Sequence, residues 1–137
     1  MNTKTIIAGI LAGVAYFLLG GILYGMLLAD TMASMAGSAK DVMRTPEQVA
    51  FPFLIIGNLF AGFLLAYIFG QWANISTPMG GLKAGAIIGF LAVSSFDCTL
   101  YATSNIMILQ GILIDIVVFT VMSAIAGGVA GWWLGRK

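Results

Sequence analysis

The sequence contains no histidine and only one cysteine, Cys98, among its 137 residues. The missing histidine removes the commonest metal ligand and the commonest general base. A single cysteine cannot form a disulfide within the chain. The sequence also contains no phosphate-binding loop, dinucleotide fingerprint or nucleophile elbow. We therefore expect that the protein is not an enzyme and that it has neither a cofactor nor a metal site.

Charged side chains are also scarce. They make up 8% of the residues, whereas 61% are hydrophobic and the mean hydropathy is +1.05. A soluble domain carries roughly a quarter charged residues. The net charge of +1 and the lack of a basic cluster argue against nucleic-acid binding. Lipid must therefore cover much of the surface, and the composition predicts an integral membrane protein.

Four apolar stretches have about the 20 residues that a helix needs to cross roughly 30 Å of hydrocarbon. They cover about residues 5–28, 53–72, 82–103 and 106–134. Because a span in lipid must satisfy its backbone polar groups internally, we expect each stretch to be a helix. The sequence thus predicts an all-α, four-helix transmembrane bundle that forms a single domain over residues 1–137.

The connections between these spans differ in length and character. Residues 29–52 form the one long polar connection, and we expect it to be an amphipathic outer loop with a short interfacial helix that ends at Pro52. The connection from Asn74 to Gly81 is predicted to be a tight loop. The last connection is so short that the third and fourth spans are predicted to form an antiparallel hairpin with its apex near Asn105.

The basic residues favour one orientation in the membrane. Four of them fall on the side of the two termini, and two fall on the opposite side: Lys4, Lys83, Arg136 and Lys137 against Lys40 and Arg44. Because cytoplasmic loops carry the excess of basic residues, we expect both termini to be cytoplasmic.

Two acidic residues, Asp97 and Asp115, lie inside predicted spans. A carboxylate near the bilayer centre costs about 2.5–3.5 kcal/mol on insertion scales. Asp97 precedes Asn105 by eight residues and Asp115 follows it by ten, so the two lie roughly 12 and 15 Å below the apex. The hairpin therefore brings them to a similar depth, where two carboxylates would not both ionise easily.

Other polar side chains are candidates to join the two aspartates. Asn58 lies in the same half of the membrane, and Tyr24 is a further candidate hydrogen-bond partner. We predict an intramembrane polar cluster that binds a proton or a ligand, formed by Asp97, Asp115, Asn58, Ser94 and Tyr101. The alternative is that both aspartates are protonated and only stabilise the fold.

Glycines recur at four-residue spacing in the last two spans, and such rows let helices approach closely in lipid. The rows are Gly81, Gly85 and Gly89 in the third span, and Gly127, Gly131 and Gly135 in the fourth. We assign them to a helix-packing or partner face. A face opposite the aspartates points outward, toward another helix or subunit, if the aspartates point inward. Ordinary packing within the chain is the favoured interpretation of the rows, and a partner site is the alternative.

Two functions follow from these features. The first is a subunit or scaffold of a membrane assembly, or a homo-oligomer, that uses the glycine rows as contact surfaces. The second is a proton-coupled small-solute transporter or channel that uses the intramembrane carboxylates.

Several short segments resemble a known group of proteins. They are Phe17–Gly25, Ser95–Asp97, Tyr101–Asn105 and Gly127–Trp132. Together with the four-span pattern, they resemble small bacterial four-span membrane proteins of a domain-of-unknown-function family. The resemblance implies a four-span topology in the bacterial plasma (inner) membrane and no particular activity.

Overall fold

The computed structural model describes residues 2–136, and most of these residues are helical. Five α-helices follow one another in this range: α1 (Thr3–Ile22), α2 (Ala29–Ser34), α3 (Phe51–Tyr67), α4 (Pro78–Thr103) and α5 (Leu109–Leu134). Helices α1 and α3 continue as π-helical turns over Leu23–Leu27 and Ile68–Ala73. No β-strand occurs among the described residues, which contain one isolated bridge.

Four of these helical segments are long and apolar enough to cross a membrane. They are Thr3–Leu27, Phe51–Ala73, Pro78–Thr103 and Leu109–Leu134. The predicted all-α four-helix transmembrane bundle is therefore confirmed. Local sequence explains where α4 begins: the Thr77 hydroxyl accepts a hydrogen bond of 3.1 Å from the Gly80 amide, and Pro78 occupies the first turn.

The helices have unequal contacts with one another. Helix α1 lies between α3 and α5, and α4 packs along the length of α5. Helices α3 and α5 have much less contact with each other. Helix α5 is the main neighbour of α4. The core that holds α1, α3 and α5 together includes Tyr16, Leu65, Phe69 and Met122.

Both described ends of the chain lie at one end of the bundle, which we call the terminal end. The Lys4 side chain donates a hydrogen bond to the backbone carbonyl of Arg136. The Arg136 guanidinium lies 4.4 Å from the centroid of the Trp132 ring, close enough for a cation–π interaction. An even number of spans requires this arrangement.

The glycine rows of α4 and α5 face each other inside the chain. A Cβ atom added to Gly85 would lie 3.0 Å from the Cα of Gly127, and one added to Gly131 would lie 3.1 Å from the Cα of Gly81. The expectation that these rows point outward is therefore wrong. Without side chains the two backbones come into direct contact, and the rows serve as the seam of the α4–α5 hairpin.

The remaining glycines of the two rows take different positions. Gly89 is buried, and a Cβ there would meet the Ser123 side chain. Gly135 is exposed beyond the end of α5, and a Cβ there would meet the backbone of Ser76. The close contact between helices thus extends from the terminal end to Gly89.

Asp97 lies on the same buried row as the α4 glycines, not on the opposite face. Gly81, Gly85, Gly89, Val93 and Asp97 are the buried residues of α4. A step of four residues turns about 40° around a helix of 3.6 residues per turn, so such a row winds slowly around the axis. On a straight helix, Gly81 at one end of the row and Asp97 at the other therefore fall on opposite faces. The row as a whole nevertheless lies against α5.

The connection between the first two spans differs from the prediction. A short helix follows α1 directly, and a single 3-10 turn covers Pro46–Gln48. Pro52 lies in the first turn of α3 instead of ending an interfacial helix, because the first turn of a helix needs no amide donor at that position. The expected helix ending at Pro52 is therefore wrong.

The segment of residues 35–39, which we call the strap, pairs with the connection between α4 and α5. The amide of Gly37 donates to the Ile106 carbonyl at 2.8 Å, and the amide of Ala39 donates to the Asn105 carbonyl at 3.0 Å. The amide of Ile108 donates to the Met35 carbonyl at 3.0 Å. The strap thus fastens the polar connection to the apex of the α4–α5 hairpin, at the end of the bundle that we call the strap end.

Candidate functional site: an intramembrane carboxyl pair

Asp97 and Asp115 lie at the same level of the bundle. Asp97 lies six residues before Thr103, where α4 ends, and Asp115 six residues after Leu109, where α5 begins. Each therefore lies about 9 Å from the strap end of its helix at 1.5 Å per residue. Both side chains line the same cavity between the two helices. The antiparallel hairpin thus places two carboxyl groups together inside the membrane-spanning region.

The two carboxyl groups differ in their surroundings. Asp97 is 3% exposed, and its Oδ2 atom is buried without a hydrogen-bond partner. Asp115 is only partly buried. An ionised carboxylate costs several kcal/mol to bury, and a nearby carboxylate of the same charge adds to that cost. Asp97 therefore needs either a proton, which it can share with the adjacent Asp115 carboxyl group, or a cation.

Tyr24 is the third titratable side chain of the site. Its hydroxyl lies next to the Asp115 carboxyl group and within range of the charge of Asp97. Tyr24 belongs to the π-helical turn Leu23–Leu27 at the end of α1. Single π-helical turns in α-helices occur frequently at functional sites because they redirect side chains. Three helical segments thus contribute one polar group each.

The cavity beside the carboxyl pair has a volume of about 300 Å³ and is broadly open to the outside of the bundle. Its other lining residues are Ala92, Val93, Phe96 and Phe119. Phe96 is 68% exposed on α4, and Ala92 is exposed as well. Because these residues lie within the membrane-spanning part of α4, the mouth of the cavity faces the hydrocarbon region. An apolar pocket thus leads from the lipid side to two carboxyl groups.

Ser94 lies close to this site on the same helix. Its hydroxyl is buried without a hydrogen-bond partner, as is the Asp97 oxygen three residues further along α4. Residues three apart on a helix are neighbours on its surface. Two unsatisfied buried polar atoms therefore occur on adjacent parts of α4.

Asn58 and Tyr101, by contrast, lie apart from the aspartates. The Asn58 side chain donates to the Leu54 carbonyl of its own helix at 2.7 Å, and α3 has no extensive contact with α4. Tyr101 is 46% exposed and lines a second, open cavity of about 560 Å³ between the strap and the end of α4. Within residues 2–136, neither side chain has a hydrogen bond to Asp97 or Asp115. Asn58 lies on a helix that does not pack against α4, since equal depth does not determine which helices pack together. Tyr101 shares α4 with Asp97 but lines the second cavity instead.

One polar contact near the site was not predicted. The Tyr16 hydroxyl donates to Ser123 Oγ at 2.8 Å, and both residues are buried. The Tyr16 ring stacks on Phe119 with a centroid distance of 5.7 Å, and Phe119 lines the cavity. A tyrosine in the middle of a span needs a hydrogen-bond partner for its hydroxyl. The serine at matching depth in the fourth span could have indicated this contact in the sequence.

The site does not resemble a multidentate metal centre. Among the described residues, no group of three or more potential metal-binding side chains occurs. Divalent cations such as Ca²⁺ or Mg²⁺ take six or more oxygen ligands, whereas this cavity offers two carboxyl groups among apolar side chains. The geometry suits a proton or a monovalent cation better.

No protein-family model, curated protein or solved structure matches this chain. The resemblance to the small four-span bacterial proteins therefore stays a prediction.

Proposed function

We propose that this membrane protein is a proton-coupled transporter of small solutes in which Asp97 and Asp115 bind and release the proton. One observation carries the proposal: a buried carboxyl oxygen of Asp97 has no hydrogen-bond partner and lies beside a second carboxyl group in an open cavity. Ionisable residues inside a membrane are costly, and they commonly mark proton relays and substrate pathways.

The unpartnered oxygen of Asp97 argues against a purely structural role. A carboxyl group that only stabilises the fold gains energy from hydrogen bonds to donors on neighbouring helices. A buried acceptor left unsatisfied instead costs about 1–3 kcal/mol. A proton on the neighbouring Asp115 carboxyl group or a bound solute would supply the missing donor, and this supports a role of the pair in proton binding.

The pair also has the chemistry that coupling requires. Two adjacent carboxyl groups in a medium of low dielectric constant do not ionise together without a compensating cation. A proton and a solute that carries or displaces positive charge therefore compete for the same oxygen atoms. Such competition links solute binding to proton release.

The proposal is tested in liposomes that contain the purified protein, a pH-sensitive dye and an imposed pH gradient. A panel of alkali cations, organic ammonium ions, amino acids and sugars is added outside, one solute at a time. We expect at least one solute to dissipate the gradient with the parent protein and with Asp41→Asn. Asp97→Asn should abolish this effect.

Asp41→Asn is the matched control because it makes the same chemical change in the exposed polar connection. Asp41 has a backbone φ of 57°, a conformation that asparagine also tolerates. Failure of every solute to dissipate the gradient with the parent protein would overturn the proposal. Equal activity of Asp97→Asn and parent would overturn the role of the carboxyl pair.

The second candidate function is a homo-oligomer or a subunit of a larger membrane assembly. The supporting observation is that α4 packs extensively only against α5, which leaves its outer face without a protein neighbour among the described residues. Cys98 is exposed on α4, and it is the chain's single cysteine. Oxidative crosslinking in the native membrane therefore tests contact between two α4 helices, and a disulfide-linked dimer that Cys98→Ser abolishes would favour this candidate.

We further propose that the protein lies in the bacterial plasma membrane with both termini in the cytoplasm. The support is the excess of basic residues at the terminal end over the two in the polar connection, Lys40 and Arg44. A Met43→Cys variant in a Cys98→Ser background should react with a membrane-impermeant maleimide added to intact cells. Protection of Met43→Cys in intact cells, with labelling only after lysis, would reverse the orientation.

A further inference from the structure

We infer that the solute bound at the carboxyl pair is a lipophilic monovalent organic cation, such as an ammonium ion with an aromatic substituent, which reaches the pair from the lipid side of the cavity. This inference rests on the proposed function and specifies its substrate class. It follows from the charge of the site, the lining of the cavity and the position of its mouth.

The charge of the site is not balanced by the chain. No lysine or arginine lines the cavity. The basic residue nearest to Asp97 along α4 is Lys83, which lies 14 residues away, about 21 Å at 1.5 Å per residue. A cation that enters the cavity therefore meets two carboxyl groups without competition from a resident positive charge. An anion finds no partner there.

The lining of the cavity favours a cation with an apolar body. Ala92, Val93, Phe96 and Phe119 surround the approach to the carboxyl groups. Aromatic rings attract a cation through the negative potential of their faces, and the attraction is stronger when water is excluded. A strongly hydrated inorganic ion would lose its water shell here for only two oxygen-bearing side chains. The volume of about 300 Å³ lies at the lower end of ligand pockets and suits an ammonium ion with one aromatic ring.

The mouth of the cavity determines the route of access. Exposed Phe96 and Ala92 place it within the membrane-spanning part of α4, where the surroundings are lipid. Amphiphilic cations partition into membranes, because their apolar part enters the acyl region while the charge stays near the headgroups. The carboxyl pair lies about 9 Å from the strap end of α4, a depth that such a molecule reaches from the interface.

Binding of the cation releases a proton. When the pair holds one proton, binding of a monovalent cation replaces that proton, and the net charge of the site is unchanged. The titratable groups that face Asp97 from the packed elements are Asp115 on α5 and Tyr24 after α1. A tyrosine keeps its proton in the neutral range, so the exchanged proton comes from the carboxyl pair. The dissociation constant should therefore fall tenfold for each pH unit while the free pair holds this proton, and level off at the pH at which the free pair loses it.

The probe is radiolabelled benzyltrimethylammonium, bound to the full-length protein in lipid nanodiscs. Its neutral carbon analogue, neopentylbenzene, and the anion benzylsulfonate serve as competitors of similar size. We expect the unlabelled cation to displace the probe and the two analogues to fail. Asp97→Asn should weaken binding at least tenfold and remove the pH dependence.

The aromatic lining supplies a second test that leaves the carboxyl groups in place. Phe96→Leu should weaken binding of the cation by about two- to five-fold through the lost cation–π attraction. Phe90→Leu is the matched control, since Phe90 is exposed on α4 and does not line the cavity. This pair keeps the test decisive if Asp97→Asn proves unstable.

The possible results separate this inference from the proposed function. Displacement of the probe by neopentylbenzene as effectively as by the cation would overturn the inference, and so would binding without pH dependence. If the cation does not bind while a neutral or anionic solute dissipates the pH gradient in liposomes, the inference fails and the proposed function stands. If no solute dissipates the gradient, the proposed function fails.

Discussion

The hydroxyl of Tyr16 and the hydroxyl of Ser123 form a buried hydrogen bond of 2.8 Å that joins α1 to α5. Ser123 also contacts the α4 row, because a Cβ atom added to Gly89 would meet its side chain. The bond therefore lies where α1, α4 and α5 come together, and it does not involve the carboxyl pair. It provides a satisfied polar contact for comparison with the unsatisfied Asp97.

Tyr16→Phe should lower the free energy of unfolding by about 1 kcal/mol, because it leaves the Ser123 hydroxyl without its partner. The double variant Tyr16→Phe, Ser123→Ala should lose less than the sum of the two single variants, since neither partner then remains unsatisfied. Reversible unfolding in mixed detergent micelles measures these values. Tyr67→Phe is the control, because Tyr67 is exposed and its loss of a hydroxyl should change little. Strictly additive losses would contradict a direct interaction.

If the glycine rows form the seam between α4 and α5, a larger side chain there should destabilise the chain itself. If they formed a partner surface, it should only weaken binding of the partner. Gly85→Leu should destabilise the chain itself by about 1–3 kcal/mol or more, because a side chain there meets the backbone of Gly127 and Ser123. Thermal unfolding in detergent measures this loss. Gly57→Leu is the control, since a Cβ at Gly57 has no neighbouring atom within 4 Å. A Gly85→Leu protein of unchanged stability that merely lost a partner would contradict the seam.

The sequence predicted the four spans well because hydropathy is summed over some 20 residues and tolerates local errors. It predicted the α4–α5 hairpin because the connection around Asn105 is too short for any other arrangement. It did not predict which helices become neighbours, and this is why Asn58 was wrongly grouped with the aspartates. The order of helices around a bundle depends on the packing of whole surfaces, which a single helical face does not reveal.

Only part of the site could be predicted, because the sequence does not show how the helices pack. Asp97 and Asp115 were recognisable as rare charges inside apolar spans, whatever their neighbours. Tyr24 was also recognisable as a candidate partner of the aspartates, but no residue in the sequence identifies the π-helical turn to which it belongs. The inward position of Gly85 depends on how a four-residue row winds around its helix, and that becomes visible only when the partner helix is in place.

The strap should be sensitive to the size of residue 37. A Cβ atom at Gly37 would meet the backbone carbonyl of Asn105, so Gly37→Ala should break the pairing between the strap and the α4–α5 connection. We expect faster hydrogen exchange at the amides of Ala39 and Ile108, which donate across this pairing. Gly21→Ala, at a position with no atom within 4 Å of a Cβ, should leave their exchange unchanged. Unchanged exchange in Gly37→Ala would show that the pairing does not persist in the membrane.

The stability of Asp97 variants distinguishes the two interpretations of the carboxyl pair. If Asp97 only stabilises the fold through hydrogen bonds, then Asp97→Asn and Asp97→Val should each lower the free energy of unfolding by about 1–3 kcal/mol. Its unpartnered oxygen predicts the opposite. Both variants should keep that free energy or raise it by about 1 kcal/mol, because they remove an uncompensated buried carboxyl group next to another acid.

The same variants should lose the solute-dependent dissipation of the pH gradient, so gain in stability and loss of function would occur together. Ser123→Ala is the control, because it removes a buried hydroxyl that has a partner and should therefore destabilise the protein. Unfolding in mixed micelles and gradient dissipation in liposomes are measured on the same preparations. If Asp97→Val proves as destabilising as Ser123→Ala, the carboxyl group has hydrogen-bond partners in the membrane, and the main argument for a proton site at this position is lost.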